Sequence, residues 1–122
     1  MAETVAIAVI DDDDSFRVAL AESLSTFGFD VCGYASAEDF ISANGPSSCH
    51  LAVTDVHMPG MSGLDLARHL AASGYKIPTI LITARSEASL EARAAAAGVA
   101  HFLKKPFEIG ELIKCIEGAL GP

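Results

Sequence analysis

Short apolar runs recur along the chain at Val5–Ile10, Asp30–Tyr34, Leu51–Thr54, Thr79–Thr83 and Ala100–Leu103. Their length and β-branched content predict strands. Each is followed by a stretch with helical spacing. Phe16, Leu20, Leu24 and Phe27 fall on one helical face, and Gly28 stands where a helix C′ glycine belongs. Ser36 and Asp39 have capping-box spacing, with Asp in place of the usual Glu or Gln. Leu64, Ala67, Leu70 and Ala71 make the next face, closed by Gly74. Ser86 is placed to cap a helix from Glu87 to Ala97, ended by Gly98. Ile109, Leu112, Ile113, Ile116 and Leu120 form the last stripe. Between Asn44 and Cys49 no regular element is expected, and Gly45-Pro46 marks a turn.

Five strands alternating with five helices predict an α/β domain with a parallel sheet. The first, third and fourth runs are apolar at nearly every position, as strands buried on both faces must be. The crossovers are expected to be right-handed. The expected fold is a doubly wound, flavodoxin-like sheet of strand order 2-1-3-4-5. The five units use the whole chain, which is read as one domain over residues 1–122.

Charge narrows the function classes. With 16 acidic and 8 basic side chains the net charge is −8. Contacts to phosphate backbones need Lys and Arg, so direct nucleic-acid binding is not expected. Docking on anionic lipid is disfavoured for the same reason, while a cation site or a basic partner is compatible. No segment reaches the ~20 apolar residues of a membrane span. The start, Met1-Ala2-Glu3-Thr4, lacks the basic region of a signal peptide. Cys32, Cys49 and Cys115 are odd in number and widely spaced, which predicts reduced, buried or inert thiols and a cytoplasmic home. Phe16, Phe27, Phe29, Phe40 and Phe107 are read as core. His50, His69 and His101 are read as surface or strand-end residues.

In such a sheet, sites lie beyond the C-terminal strand ends. The first run ends in Asp11-Asp12-Asp13-Asp14, the third in Asp55, the fourth in Thr83 and the fifth in Lys104-Lys105-Pro106. The order 2-1-3-4-5 brings these groups to one edge. Carboxylates held this close repel one another. A divalent cation resolves the repulsion, and Mg²⁺ suits a few carboxylates that it bridges to a phosphate. A lysine opposite would bind a phosphoryl oxygen as a point charge. The constellation reads as a phosphoryl site whose own carboxylate, Asp55, is the nucleophile. Asp13 and Asp14 are read as helix N-terminal acids.

These residues match a family. Val9-Ile10-Asp11-Asp12-Asp13, the segment Val53-Thr54-Asp55-Val56-His57-Met58-Pro59-Gly60-Met61-Ser62-Gly63, Leu81-Ile82-Thr83-Ala84, and Phe102-Leu103-Lys104-Lys105-Pro106-Phe107 occur in order over nearly the whole chain. The chain resembles the receiver domain of two-component response regulators, and most closely the branch that in longer proteins carries a helix-turn-helix output domain. The resemblance implies that Asp55 accepts a phosphoryl group from a histidine kinase, a phosphotransfer protein or a small phosphodonor. It implies that Asp12, Asp55 and the backbone carbonyl of His57 ligate Mg²⁺, with Asp11 ligating directly or through water. It implies that Lys105 holds the phosphoryl group, that Thr83 moves to it, and that Phe102 is the aromatic switch residue. A cis Lys105-Pro106 bond is implied as well.

His57 and Arg85 depart from the family's commonest choices and stand where they would set the lifetime of the phosphoryl group. The read-out surface implied is helix 4, strand 5 and helix 5, roughly Ser86–Gly118, and phosphorylation-dependent homodimerisation through it is one expected outcome. Self-phosphorylation and self-dephosphorylation of this kind do not make a conventional turnover enzyme. Two other readings stay open. One is an aspartyl-phosphate phosphatase of the haloacid-dehalogenase type, which needs a second acid where His57 stands. The other is a degenerate receiver serving only to bind protein. The chain is read as a stand-alone receiver or as the N-terminal piece of a longer regulator.

Overall fold

The computed structural model describes residues 4–85 and 87–121. Among these residues the chain alternates strand and helix: β1 (Ala6–Ile10), α1 (Asp14–Thr26), β2 (Asp30–Tyr34), α2 (Ala37–Ser42), β3 (Leu51–Asp55), α3 (Gly63–Ala72), β4 (Thr79–Thr83), α4 (Leu90–Ala96), β5 (His101–Lys104) and α5 (Ile109–Leu120). A short 3-10 turn, Gly45–Ser47, interrupts the stretch expected to be irregular. The strands are all parallel, in the order β2-β1-β3-β4-β5. This is the expected flavodoxin-like arrangement.

The burial pattern explains why the apolar runs are where they are. Every residue of β3 and β4 is buried, and β1 is buried beyond its first residue. The edge strands β2 and β5 are only partly covered. On one face Ile7, Val9, Leu51, Val53, Ile80 and Ile82 pack against Leu20 and Leu24 of α1 and Leu112 and Ile116 of α5. On the other, the small Ala8 and Ala52 leave room for the fully buried ring of Phe40 on α2, beside Leu66 and Leu70 of α3. Leu81 and Val56 meet Leu90 and Ala94 of α4 farther along that face. Burying each of these large side chains contributes ~1.5–3 kcal/mol, which is what holds the three layers together.

Three expectations need correction. Helix α4 begins at Leu90 rather than Glu87. Ser86, the expected cap, lies outside the described residues. Ser89 precedes the helix in a left-handed conformation (φ 71°) and makes no side-chain capping bond, so the chain cannot enter the helix earlier. Phe27 is 56% exposed rather than in the core. It is the C-cap of α1, one residue beyond the last helical turn; its N–H donates to the Leu24 carbonyl at 3.0 Å, while the Gly28 N–H donates to the Ser25 carbonyl at 2.9 Å and Gly28 turns the chain at φ 93°. That turn carries the ring off the Phe16–Leu20–Leu24 stripe. Cys32 is exposed, because β2 is an edge strand. Cys49 is half-buried and burial pushes its thiol up to about 11; burial also raises the Cys115 thiol.

Candidate functional site

The register places the chemistry. Ile10 pairs with Thr54, Asp55 with Ile82, and Thr83 with Lys104. The C-terminal ends of β1, β3, β4 and β5 therefore stop level, and Asp11, Asp55, Thr83 and Lys105 stand together on that rim. Asp11 is fully buried and Asp55 is 8% exposed. One carboxylate oxygen from each of Asp11, Asp12 and Asp55 lies within 4.8 Å of the others.

Asp11 is held at both oxygens. Oδ1 accepts the Asp13 N–H at 2.9 Å, and Oδ2 accepts from Lys105 Nζ at 3.1 Å. Lys105 Nζ also lies 3.7 Å from Asp55 Oδ1 and 3.9 Å from the centroid of the Phe16 ring. Lys105 follows directly on β5, its N–H donates to the Thr83 carbonyl at 2.7 Å, and the Lys105-Pro106 bond is cis. Lys104 is exposed. Asp13 caps α1 by accepting the Phe16 N–H, and Asp14 pairs with Arg17 at 2.7 Å, so both serve the helix start as read from the sequence.

Asp55 ends β3, and the backbone beneath it is tightly built. Thr54 Oγ1 donates to the Asp55 carbonyl at 3.1 Å. Gly63 comes so close that a Cβ there would overlap the same carbonyl oxygen. Only glycine lets α3 start under the strand end, where the Ser62–Asp65 capping box sets its first turn. That box was not anticipated from sequence, although Ser62 and Asp65 have the spacing for it. Nor was the contact of Glu38, on α2, which accepts the Met61 N–H at 2.8 Å and so braces the loop between β3 and α3.

Burial, then the neighbouring Asp11, raise the pKa of Asp55; Lys105 opposes them. Because the folded-state pKa exceeds the unfolded value, the folded chain keeps this proton to higher pH. The group imposes no penalty below the ordinary carboxylate range, near about 4, and destabilises the fold as pH rises through its raised pKa. Without divalent cations, the urea midpoint of Asp55→Asn should therefore exceed that of the wild type by a margin that widens between pH 4 and pH 7. A margin independent of pH would contradict the raised pKa.

Of the remaining expected site residues, Thr83 ends β4 at the rim and His57 and Arg85 follow strand ends, whereas Phe102 lies inside β5, paired with Leu81. Thr83 is fully buried and its Oγ1 accepts the Arg85 N–H at 3.1 Å. Phe102 is partly buried against the Val56–Leu64–Leu81–Leu90 cluster. It also lines a groove of about 370 Å³ with Arg85, Glu87, Glu91 and Lys104. His57 Nε2 is buried and lies 3.1 Å from Glu87 Oε1 without a hydrogen bond to it; the two form an ion pair only when the ring is protonated.

The donor set suits Mg²⁺. All three side chains offer hard oxygen donors, and octahedral ligands at ~2.1 Å from the ion lie about 3–4.2 Å apart. The observed spacing within 4.8 Å reaches that with a small closure.

A family model for the response regulator receiver domain matches residues 7–117. The transcriptional regulatory protein FixJ of Azorhizobium caulinodans is 39% identical over 121 residues, covering 99% of this chain and 57% of that protein. The response regulator protein TodT of Pseudomonas putida is 36% identical over 114 residues, covering 93% of this chain and 50% of that one. The chain thus spans about half the length of these curated relatives. Among solved structures, the crystal structure of FixJ-N superposes with a TM-score of 0.88 at 34% identity, covering 98% of this chain and 95% of that chain. The low-resolution structure of the response regulator StyR gives 0.88 at 37% identity, covering 97% and 60%.

Proposed function

This chain belongs to the response regulator receiver domain family of two-component signal transduction, and from that premise we propose that it is a phosphoryl-accepting switch with Asp55 as acceptor. The observation that carries the reading is the acidic trio of buried Asp11, buried Asp55 and exposed Asp12 at one strand-end pocket, with Lys105 Nζ set against the two buried members. Receiver domains interact with histidine kinases, and the donor here would be the phosphohistidine of a kinase or phosphotransfer protein, or a small acyl phosphate. An Asp55 carboxylate oxygen forms the new P–O bond while the donor's bond to phosphorus breaks. The donor leaves with that electron pair and takes up a proton.

Asp11, Asp12, Asp55 and the His57 backbone carbonyl would hold Mg²⁺, which supplies charge neutralisation for the carboxylates and the incoming phosphoryl oxygens. Lys105 would release Asp11 in part to meet a phosphoryl oxygen. Thr83 would exchange its bond from the Arg85 N–H for one to the same group, and Phe102 would turn into the space that Thr83 leaves. These contacts exist only with the phosphoryl group in place, so they shift the balance between two conformations. The surface that changes is α4, β5 and α5, read by an output domain, a partner or a second copy. No helix among the described residues is long and apolar enough to cross a membrane, and we place the switch in the cytoplasm.

Labelling by acetyl phosphate tests the reading. It should require Mg²⁺ and stop on chelation; labelling indifferent to chelation would overturn it. His57 and Arg85 flank the mouth of the pocket, and we assign them control of the phosphoryl lifetime by crowding or polarising the attacking water. Half-lives of the labelled His57→Ala and Arg85→Ala chains should differ from wild type; if neither does, the two residues have no such role.

A further inference from the structure

We infer that Arg17 is a positioning residue for the acidic pocket, holding the one peptide plane that joins Asp11 to Asp12. The inference rests on the phosphoryl-switch reading above. The Asp11 carbonyl and the Asp12 N–H belong to the same rigid peptide, and both acidic side chains hang from its two ends. Arg17 Nη1 donates to that carbonyl at 2.7 Å, while Nη2 donates to Asp14 Oδ1 at 2.7 Å. The planar guanidinium thereby spans the start of α1 and pins the loop at both ends. Asp12 is exposed, so the place of its carboxylate depends on the peptide it hangs from.

The site is shaped for this arginine. Its side chain is only 18% exposed although it is charged. Its stem crosses the edge strand at Gly33, where an added Cβ would come within 3.3 Å of Arg17 Cγ and Cδ. Charge is not the reason for its presence: Asp14 pairs with it, so the two together add no net charge beside the pocket. What remains is geometry. A ligand orienter of this kind commonly changes metal affinity ~10–100-fold.

The test is the Mg²⁺ midpoint of the whole chain, read both from the rise of the melting temperature with MgCl₂ concentration and from the initial rate of labelling by acetyl phosphate. The double variant Arg17→Met/Asp14→Asn removes the clamp, keeps the apolar stem and leaves local net charge as in the wild type. Its Mg²⁺ midpoint should rise by about tenfold while the plateau rate at saturating Mg²⁺ stays at the wild-type level. A midpoint within twofold of wild type, or a lowered plateau with an unmoved midpoint, overturns the inference; the second result would make Arg17 a general structural residue. If circular dichroism shows the double variant unfolded, Arg17→Lys decides. It keeps the charge but cannot span both oxygens, so its midpoint should rise several-fold, and an unchanged midpoint overturns the inference. A wild-type chain whose labelling ignores Mg²⁺ overturns the switch reading and this inference with it, whereas a Mg²⁺-dependent wild type with an unmoved variant overturns this inference alone.

Discussion

Asp55→Asn should take up no phosphoryl group from acetyl phosphate under conditions that label the wild type fully. The carboxamide matches the carboxylate in size, so the strand end, the Thr54 hydroxyl bond to the Asp55 carbonyl and the close approach of Gly63 all survive. What is lost is the nucleophile that the switch reading assigns. An amide oxygen carries no formal charge and makes a far poorer attacking group, so a fall of at least ~100-fold is expected, the scale on which losing a reacting group is felt. Asp11 and Asp12 are the obvious substitutes, since their oxygens lie within 4.8 Å of Asp55. Asp11 is already committed to the Asp13 N–H and to Lys105, and Asp12 stands at the exposed mouth. Mass spectrometry of the labelled chain separates the cases: label found on Asp55→Asn at more than a tenth of the wild-type extent would move the acceptor to another residue.

How much of this was legible in the sequence differs by element, for physical reasons. Strands β1, β3 and β4 were plain because burial on both faces forces an unbroken apolar run. The start of α4 was not, because the stretch from Glu87 to Ala97 is rich in residues that favour a helix anywhere, and the left-handed Ser89 that delays it leaves no mark in composition. Phe27 was misplaced because helical spacing describes only residues inside the helix, and it sits at the cap. The acids and Lys105 could be read because parallel topology converts strand ends into a common rim. Arg17 and Glu38 could not, since each acts on a backbone atom. The Glu38 partner is 23 residues away in sequence. The Arg17–Asp14 spacing is recognisable as an i, i+3 helix pair, but nothing in it points to the Asp11 carbonyl.

Lys105→Met should separate the two tasks of the lysine. The thioether fills much the same space beside Phe16 but brings no charge to Asp11, at 3.1 Å, or to Asp55, at 3.7 Å. Two nearly buried carboxylates then face each other unopposed. Removing one partner from such a cluster costs about 3 kcal/mol, and without divalent cation the melting temperature should drop by about 10 °C for a chain of this size. Lys105 is also the largest influence holding the Asp55 pKa down. Its loss raises that pKa further, so the pH at which labelling reaches half its maximum should move upward. Mg²⁺ supplies the missing positive charge where the lysine did not need to share it. Saturating Mg²⁺ should therefore raise the melting temperature of Lys105→Met by more than it raises that of the wild type. It would not replace the lysine at the phosphoryl group, because a metal ion offers no N–H donor to the oxygen that Lys105 would meet. The variant should thus be stabilised by Mg²⁺ and labelled at raised pH, yet show none of the change in the α4–β5–α5 environment that the switch reading expects of the labelled wild type. Equal stabilisation of both chains by Mg²⁺ would mean that Lys105 does not offset the carboxylates. A full conformational response in the labelled variant would remove it from the switch.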